Sequence, residues 1–472
     1  MLEQKLLAQV LDEVLTRGGE FAEIYVEKKA SLNIVAEDNK IEKINRGEEA
    51  GVGIRVVNGG NTAYAYTNDL SYEGMSKAAQ VASHAAANGG RQKEIQLDKP
   101  VRVPLEGIEK MPSQVSFEQK VSLVKEANDT ARSLSDEVKQ VTVALGESLR
   151  EVQIANSLGQ DLEQEILRTR FVINVVASRD GQIQTGYDAM GGTIGWEILD
   201  QTRPADLATT AGKRALLMLD AKPAPTGKMP VVMSSEAGGT MVHEACGHGL
   251  EADLVQKGLS VYRGKEGQMV AASQVTVMDD ATIAHRYGTL VYDDEAVKGR
   301  RNVLIDKGEL KGYMYDRITA GKAGVESTGN GRRESYQNKP IPRMTNTLIA
   351  PGEDDPEKIV RDTKKGLFVR KMGGGQVNTT NGDYVFEVTE GYMIENGELK
   401  YPVRGATLAG SGPQTLMNID RVGKDLGFSL GTCGKDGQGV PVADAQPTIR
   451  IKELVVGGTA VGDEDSAPTI KR

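Results

Sequence analysis

Hydrophobic positions in residues 2–16 recur with the period of an amphipathic helix: Leu2, Leu6 and Val10 at steps of four, with Leu7, Leu11 and Val14 beside them. The pattern then changes to strand-like runs at 21–29, 31–44 and 51–57. Asn58-Gly59-Gly60-Asn61 predicts a hairpin turn into a further strand, because glycine accepts positive φ without steric cost. A helical stretch follows at 71–88. Residues 89–115 are polar, carry Pro100, Pro104 and Pro112, and read as a connector. Ser116 and Gln119 predict a capping box for a helix with the apolar stripe Val124, Ala127, Ala131 and Leu134. Strands are predicted near 140–155 and 168–178, with a turn at Arg179-Asp180-Gly181, and a helix at 204–220 closes this half. Two successive helix–strands–helix units therefore fill the first 220 residues, an arrangement that would suit an internal duplication, although no clear sequence repeat accompanies it.

The stretch Lys222-Pro223-Ala224-Pro225-Thr226-Gly227 is the best domain boundary. Beyond it, short strands and glycine turns dominate. The expected class is α+β: an N-terminal helix-and-strand domain over 1–221, then a β-rich domain over 228–472 with few helices. Glycine is abundant, 55 of 472 residues, as tight turns between short strands require. Aromatic residues are only 4%, so the cores must rest on Val, Ile, Leu and Ala. The net charge of −9 argues against a nucleic-acid binder, which normally carries a basic patch. Two cysteines, Cys246 and Cys433, are no disulfide framework and fit a reducing compartment. Glu3, Lys5, Asp12 and Glu13 interrupt any signal-peptide core, and no run approaches the roughly 18 apolar residues of a membrane span. A cytoplasmic protein without membrane contact is expected.

Of four histidines, His243 and His248 lie in one short stretch with Glu244 beside the first. Imidazole suits zinc, and a carboxylate next to a ligand can act as general base on a metal-bound water. The spacing is i to i+5, which on a regular α-helix separates the two rings by about 140°. A π-type turn would bring them together, and Gly247 would tolerate local unwinding. The helix is therefore expected to be distorted between Glu244 and His248. A catalytic zinc usually has three protein ligands and an open position, so a third donor is needed. Cys433, in the glycine-rich segment 431–439, is one candidate; Cys246, between the histidines, reads better as a small buried residue. His84 and His285 read as structural. The acidic groups Asp279-Asp280 and Asp293-Asp294-Glu295 read as a solvated loop or interface rather than a second cation site. Gly427-Phe428-Ser429-Leu430-Gly431 has the form of a serine nucleophile elbow, but no histidine follows it in the chain, and no P-loop is present.

The segments HEACGHGLEAD (243–253), STGNGRRESY (327–336), PRMTNT (342–347) and CGKDGQGVPV (433–442) resemble the TldD branch of the TldD/PmbA metallopeptidases. The resemblance spans nearly the whole chain, to the closing TIRIKELVVGGTA (448–460). It implies an HExxxH zinc site formed by His243 and His248, with Cys433 as third ligand and Glu244 as the catalytic general base. It further implies a dimer enclosing a cavity that admits unfolded peptides, formed with a PmbA-like (TldE-like) subunit or by self-association. Leader-peptide removal and proteolysis of small flexible proteins are the roles such a resemblance brings. Arg332, Arg333 and Tyr336 are candidates to assist the oxyanion, with structural contacts as their alternative. Zinc serving structure only, with Cys246 as fourth ligand in a scaffold subunit, is the competing reading.

Overall fold

The computed structural model describes residues 1–85 and 95–459. Helix α1 (Gln4–Leu15) buries Leu7, Val10, Leu11 and Val14 as the periodicity predicts. Strands β1 (Phe21–Glu37) and β2 (Lys40–Asn58) form one long hairpin rather than three shorter runs. Its turn is Asp38-Asn39, both at positive φ (49° and 63°), as a tight two-residue turn requires. Residues 40–49 are almost all exposed, so no alternation of burial marks them as a strand. Main-chain pairing of β1 with β2 holds this ribbon.

Strand β3 (Asn61–Thr67) follows the predicted hairpin. Helix α2 (Tyr72–Ala85) ends at the limit of the described residues, so the rest of the helix expected to 88 lies outside them. The expected connector contains a short strand, β4 (Val101–Val103). Helix α3 (Phe117–Arg132) starts at the Ser116/Gln119 capping box. Strands β5 (Val138–Asn156), β6 (Asp161–Arg179) and β7 (Gln182–Gly192), then helices α4 (Glu197–Gln201) and α5 (Pro204–Leu219), complete this half. The two helix–strands–helix units share a single seven-stranded sheet of order β3-β2-β1-β5-β6-β4, with β7 on β6. One core joins α1 and α2 to the start of β1 and end of β2; another joins α3 and α5 to the far ends of β1, β5 and β6.

After residue 221 two further large sheets form. In one, the pairing of Lys365–Val377 with Asp383–Glu395 closes a ring with Gly227–Met233, Ile449–Gly457 and Ala406–Ser411. The other runs from Glu309–Leu310 through Arg301–Asp306, Val277–Asp280, Asn346–Ile349 and Gln438–Gln446 to Gly427–Lys435 at its edge. A large Val-, Ile-, Leu- and Met-rich core fills the space between them. Helices here are short, as expected: apart from the mixed helical stretch 240–250, the longest among the described residues is Arg317–Ala323. The arrangement is α+β. Among the described residues no helix is long and apolar enough to cross a membrane.

Candidate metal centre

His243 and His248 are brought together by a π-helical turn over His243–Gly247, in which the His248 amide donates to the His243 carbonyl five residues back. The predicted distortion is present, but Gly247 plays a different part from the expected one. Its φ and ψ, −51° and −59°, are ordinary helical values. What glycine supplies is space: a Cβ there would lie 2.2 Å from Met344 Sδ. Gly412 constrains the turn more rigidly, since a Cβ would lie 1.9 Å from the Ala245 carbonyl oxygen. That carbonyl already accepts a hydrogen bond from Tyr262 at 2.8 Å. Gly412→Ala is expected to cost about 1–3 kcal/mol, as overpacking against backbone does, read from denaturant unfolding. An unchanged midpoint would show that the π turn yields freely.

The two imidazole rings are nearly perpendicular, with centroids 4.9 Å apart. Each turns its Nδ1 to a carboxylate: His243 to Asp444 at 2.8 Å and His248 to Glu251 at 3.0 Å. Each turns its Nε2 to the sulfur of Cys433, at 3.2 and 3.4 Å. Cys433 comes from the edge strand Gly427–Lys435, and Asp444 from its hairpin partner Gln438–Gln446, so one hairpin supplies a donor and the carboxylate behind another. Glu251 is fully buried and is itself held by Lys435 Nζ at 3.1 Å. Lys435 also meets Asp253 at 2.6 Å. Neither Asp444 nor Glu251 was singled out in the sequence. Glu251 had a local signal, three residues after His248 within the quoted motif; Asp444 lies 201 positions from His243 and had none.

Burial opposes charge on the Cys433 thiol, but the charge of His243 and hydrogen bonds from both imidazoles outweigh it and bring the thiol down to about 5. Burial likewise disfavours protonated imidazole, yet Asp444 and Cys433 raise His243 well above its usual value. Glu251 and Cys433 bring His248 up to about 9. The cluster thus stabilises thiolate beside imidazolium, and a cation would take the place of those protons. A tetrahedral zinc with bonds of about 2.0–2.3 Å sets its donors roughly 3.3–3.6 Å apart. Sulfur-to-nitrogen distances of 3.2 and 3.4 Å match that spacing, and the three donor atoms all lie within 4.8 Å of one another. The residues fit a transition metal, and this is the one such donor group among the described residues.

Cys246 stands apart. Its sulfur donates to the Val242 carbonyl at 3.3 Å, and burial pushes its thiol up to about 12. It packs in the apolar core as a neutral thiol, not as a fourth donor. Glu244 is half-buried and lines the cavity described below; burial raises its carboxyl above the usual range, while His243 and His248 pull it down. His84 bonds its own helix at the Gln80 carbonyl, and His285 faces the Thr193 carbonyl.

The three candidate oxyanion helpers are held in structural contacts, the alternative the sequence leaves open. Arg332 donates to the carbonyls of Met344 and Pro441. Arg333 bonds Glu23 and the Asp294 carbonyl, and its guanidinium lies 4.1 Å from the centre of the Tyr25 ring. Tyr336 packs against Tyr25 and Val152. Arg333 and Tyr336 join the N-terminal sheet to the second half, whereas Arg332 is held by carbonyls within the second half; buried arginines need such partners. Asp294 and Glu295 belong to the same junction, where Asp294 accepts from the Tyr25 hydroxyl and Glu295 pairs with Arg55; Asp293 accepts from the Gly331 amide, and Asp279 from Thr345, Thr347 and Asn330. These acidic groups are buried interface and scaffold, not solvated loops. The Ser429 hydroxyl is engaged by the Gly238 carbonyl.

A cavity of about 950 Å³ opens over the donors. Its wall includes His243, Glu244, His248 and Cys433, the strand segments 371–377 and 428–435, and Tyr187 and Ala189 of β7.

Comparisons with known proteins agree with this picture. Three family models match in succession: PmbA/TldA metallopeptidase domain 1 over 22–86, the central domain over 110–219 and the C-terminal domain over 226–458. A metalloprotease TldD homolog of Haemophilus influenzae is 35% identical, covering 97% of each chain. A metalloprotease of Methanocaldococcus jannaschii is 38% identical over 93% of this chain and 97% of its own. A zinc metalloprotease TldD homolog of Saccharolobus solfataricus is 30% identical over 72% and 76%. Among solved structures, TldE from Thermococcus kodakarensis superposes with a TM-score of 0.76, at 20% identity, covering 96% of this chain and 99% of that one.

Proposed function

This chain belongs to the PmbA/TldD metallopeptidase family, and from that premise we propose that it is a zinc-dependent peptidase of the TldD type that hydrolyses unfolded or flexible peptides. The observation that carries this reading is the convergence of His243, His248 and Cys433 beside Glu244 on the wall of one large cavity. The three donors would hold the metal, and zinc is among the transition ions that two imidazoles and a thiolate accept. When bound, it supplies Lewis acidity toward the attacking water and the substrate carbonyl.

The chain's own residues do the rest. Glu244 accepts the proton of the attacking water and delivers it to the leaving amine. A carboxyl raised by burial is better matched to both halves of that task than an exposed one. Asp444 and Glu251 fix the imidazole tautomers so that each Nε2 points at the metal position. Lys435 keeps Glu251 ionised, and the Glu251 carboxyl is held down at about 2; burial opposes this, and Lys435 and His248 overcome it. Asp444→Asn and Glu251→Gln are each expected to weaken metal binding about 10–100-fold, measured by competition with a chelator. Unchanged retention in both variants would remove these carboxylates from the account.

Substrate selection follows from the edge strand. Gly427–Lys435 ends its sheet, and its residues 428–435 face the cavity. An extended peptide can add to such an edge through main-chain hydrogen bonds with little side-chain preference. A rigid folded protein cannot. The unit 228–472 carries the chemistry in this reading, and 1–221 roofs the cavity through β7. The working form is a dimer enclosing the cavity in the cytoplasm, with a TldE-like subunit or a second copy, acting in leader-peptide removal or turnover of small proteins. The test is cleavage of an unstructured peptide by the purified chain, alone and with a TldE-like partner, followed by mass spectrometry. Cleavage abolished by a chelator and restored by zinc supports the reading. Equal cleavage of a rigid folded protein, or none of any peptide in the zinc-loaded complex, overturns it.

A further inference from the structure

A second cavity, about 450 Å³, adjoins the catalytic one, and Thr432 lines both. Its wall is strongly cationic: Lys29 from β1, Arg150 from β5, and Arg168 and Arg170 from β6, against two carboxylates, Glu147 and Glu334. The carboxylates do not serve these cations. Glu147 is taken by Lys120 at 2.6 Å, and Glu334 accepts from the Gly439 amide at 2.7 Å. Arg150 is satisfied separately, by Glu27 at 2.8 Å and the Tyr25 hydroxyl at 2.6 Å. Among the described residues, Arg168 and Arg170 pair with no carboxylate.

Arg168 is the informative residue. It is 3% exposed, yet its one hydrogen bond among the described residues runs from Nε to the Tyr287 carbonyl at 3.0 Å. Its Nη2 is buried without a partner, and so is the Nε of Arg170. A buried guanidinium with unmet donors is costly, and the cost falls when an anion enters. Burial, then the neighbouring charges of Arg332 and Arg150, lower the Arg168 value to about 9, as an uncompensated cation in a crowd of cations should show. The planar fork of arginine matches the two oxygens of a carboxylate or phosphate.

We propose that Arg168 and Arg170, with Lys29 at the edge, form an oxyanion-binding pocket beside the metal centre. Thr432 immediately precedes Cys433, so a peptide lying along the edge strand would bring a carboxylate, from an acidic side chain or a free C-terminus, to this pocket. That source rests on the proposed peptidase function; inorganic phosphate is the other source of the same chemistry and does not.

Titration calorimetry on the full chain separates them. The Glu244→Gln background prevents hydrolysis during the measurement. The probes are an unstructured peptide with one glutamate and a free C-terminus, its glutamine and C-terminal-amide counterpart, and inorganic phosphate. The charged peptide is expected to bind about tenfold tighter than the neutral one, the scale of one charge-assisted pair. Arg170→Gln, at a half-buried position, is expected to reduce that preference to about twofold without changing affinity for the neutral peptide. Arg168→Gln should do the same, with its fold checked by circular dichroism. Phosphate that competes with the charged peptide supports the shared pocket. Phosphate binding lost in Arg170→Gln, with no peptide preference, supports the pocket and assigns it to the free anion. The proposal is overturned if neither probe shows charge-dependent binding, or if such binding survives Arg170→Gln and a folded Arg168→Gln. Because binding is read without turnover, a failed peptidase function would not be mistaken for a failed pocket.

Discussion

Glu244→Gln is expected to lower peptide hydrolysis by about 10²–10⁴-fold while leaving the metal content of the protein unchanged. The substitution keeps the side chain's size and removes only its ability to accept a proton. Glu244 is not among the three residues whose donor atoms converge, so metal binding does not depend on it. It sits on the cavity wall adjacent in sequence to His243 and is pushed toward the protonated form by burial, as a residue that alternates between base and acid must be. Steady-state cleavage of an unstructured peptide, with zinc measured on the same preparation, checks both halves. Cleavage at the native rate would remove Glu244 from the mechanism; loss of metal would make it a ligand.

Cys433→Ala is expected to lose both metal and activity, and to lose metal more completely than either carboxylate variant. Its sulfur is the point on which both Nε2 atoms converge. Without it, two imidazoles remain, fewer than a catalytic zinc site normally holds. The weakening should exceed the roughly 10–100-fold typical of losing a group behind a ligand. Cys246→Ala is the control: its thiol is neutral and bonds a helix carbonyl, so metal should be retained. Elemental analysis after dialysis separates the two. Full metal in Cys433→Ala would mean that another donor completes the site.

Much of this was legible along the chain because the signals were local. The α1 stripe, the Ser116 capping box and the Asp180-Gly181 turn each depend on residues a few positions apart, and each stands in the structure. The π turn was legible for a stronger reason: two rings about 140° apart on a regular helix cannot share an ion, so the helix had to deform. The length of the β1–β2 hairpin was hidden because its outer half is exposed, leaving main-chain bonds that no side-chain pattern reports. Asp444 was hidden because its partnership with His243 exists only after a hairpin folds onto the helix. Arg332 and Arg333 looked like catalytic cations for the same reason. Arg332's carbonyl partner Pro441 lies 109 positions away and Arg333's carboxylate partner Glu23 lies 310 away, and only the folded chain shows that these groups engage them.

His243, His248 and Cys433 are proposed to hold one zinc with room left for water. X-ray absorption at the zinc edge of the purified chain tests it most directly. The expected spectrum has two imidazoles, one sulfur and one light oxygen donor around each zinc, with the sulfur absent in Cys433→Ser. A spectrum without sulfur in the native protein, or with four protein donors including two sulfurs, would contradict it.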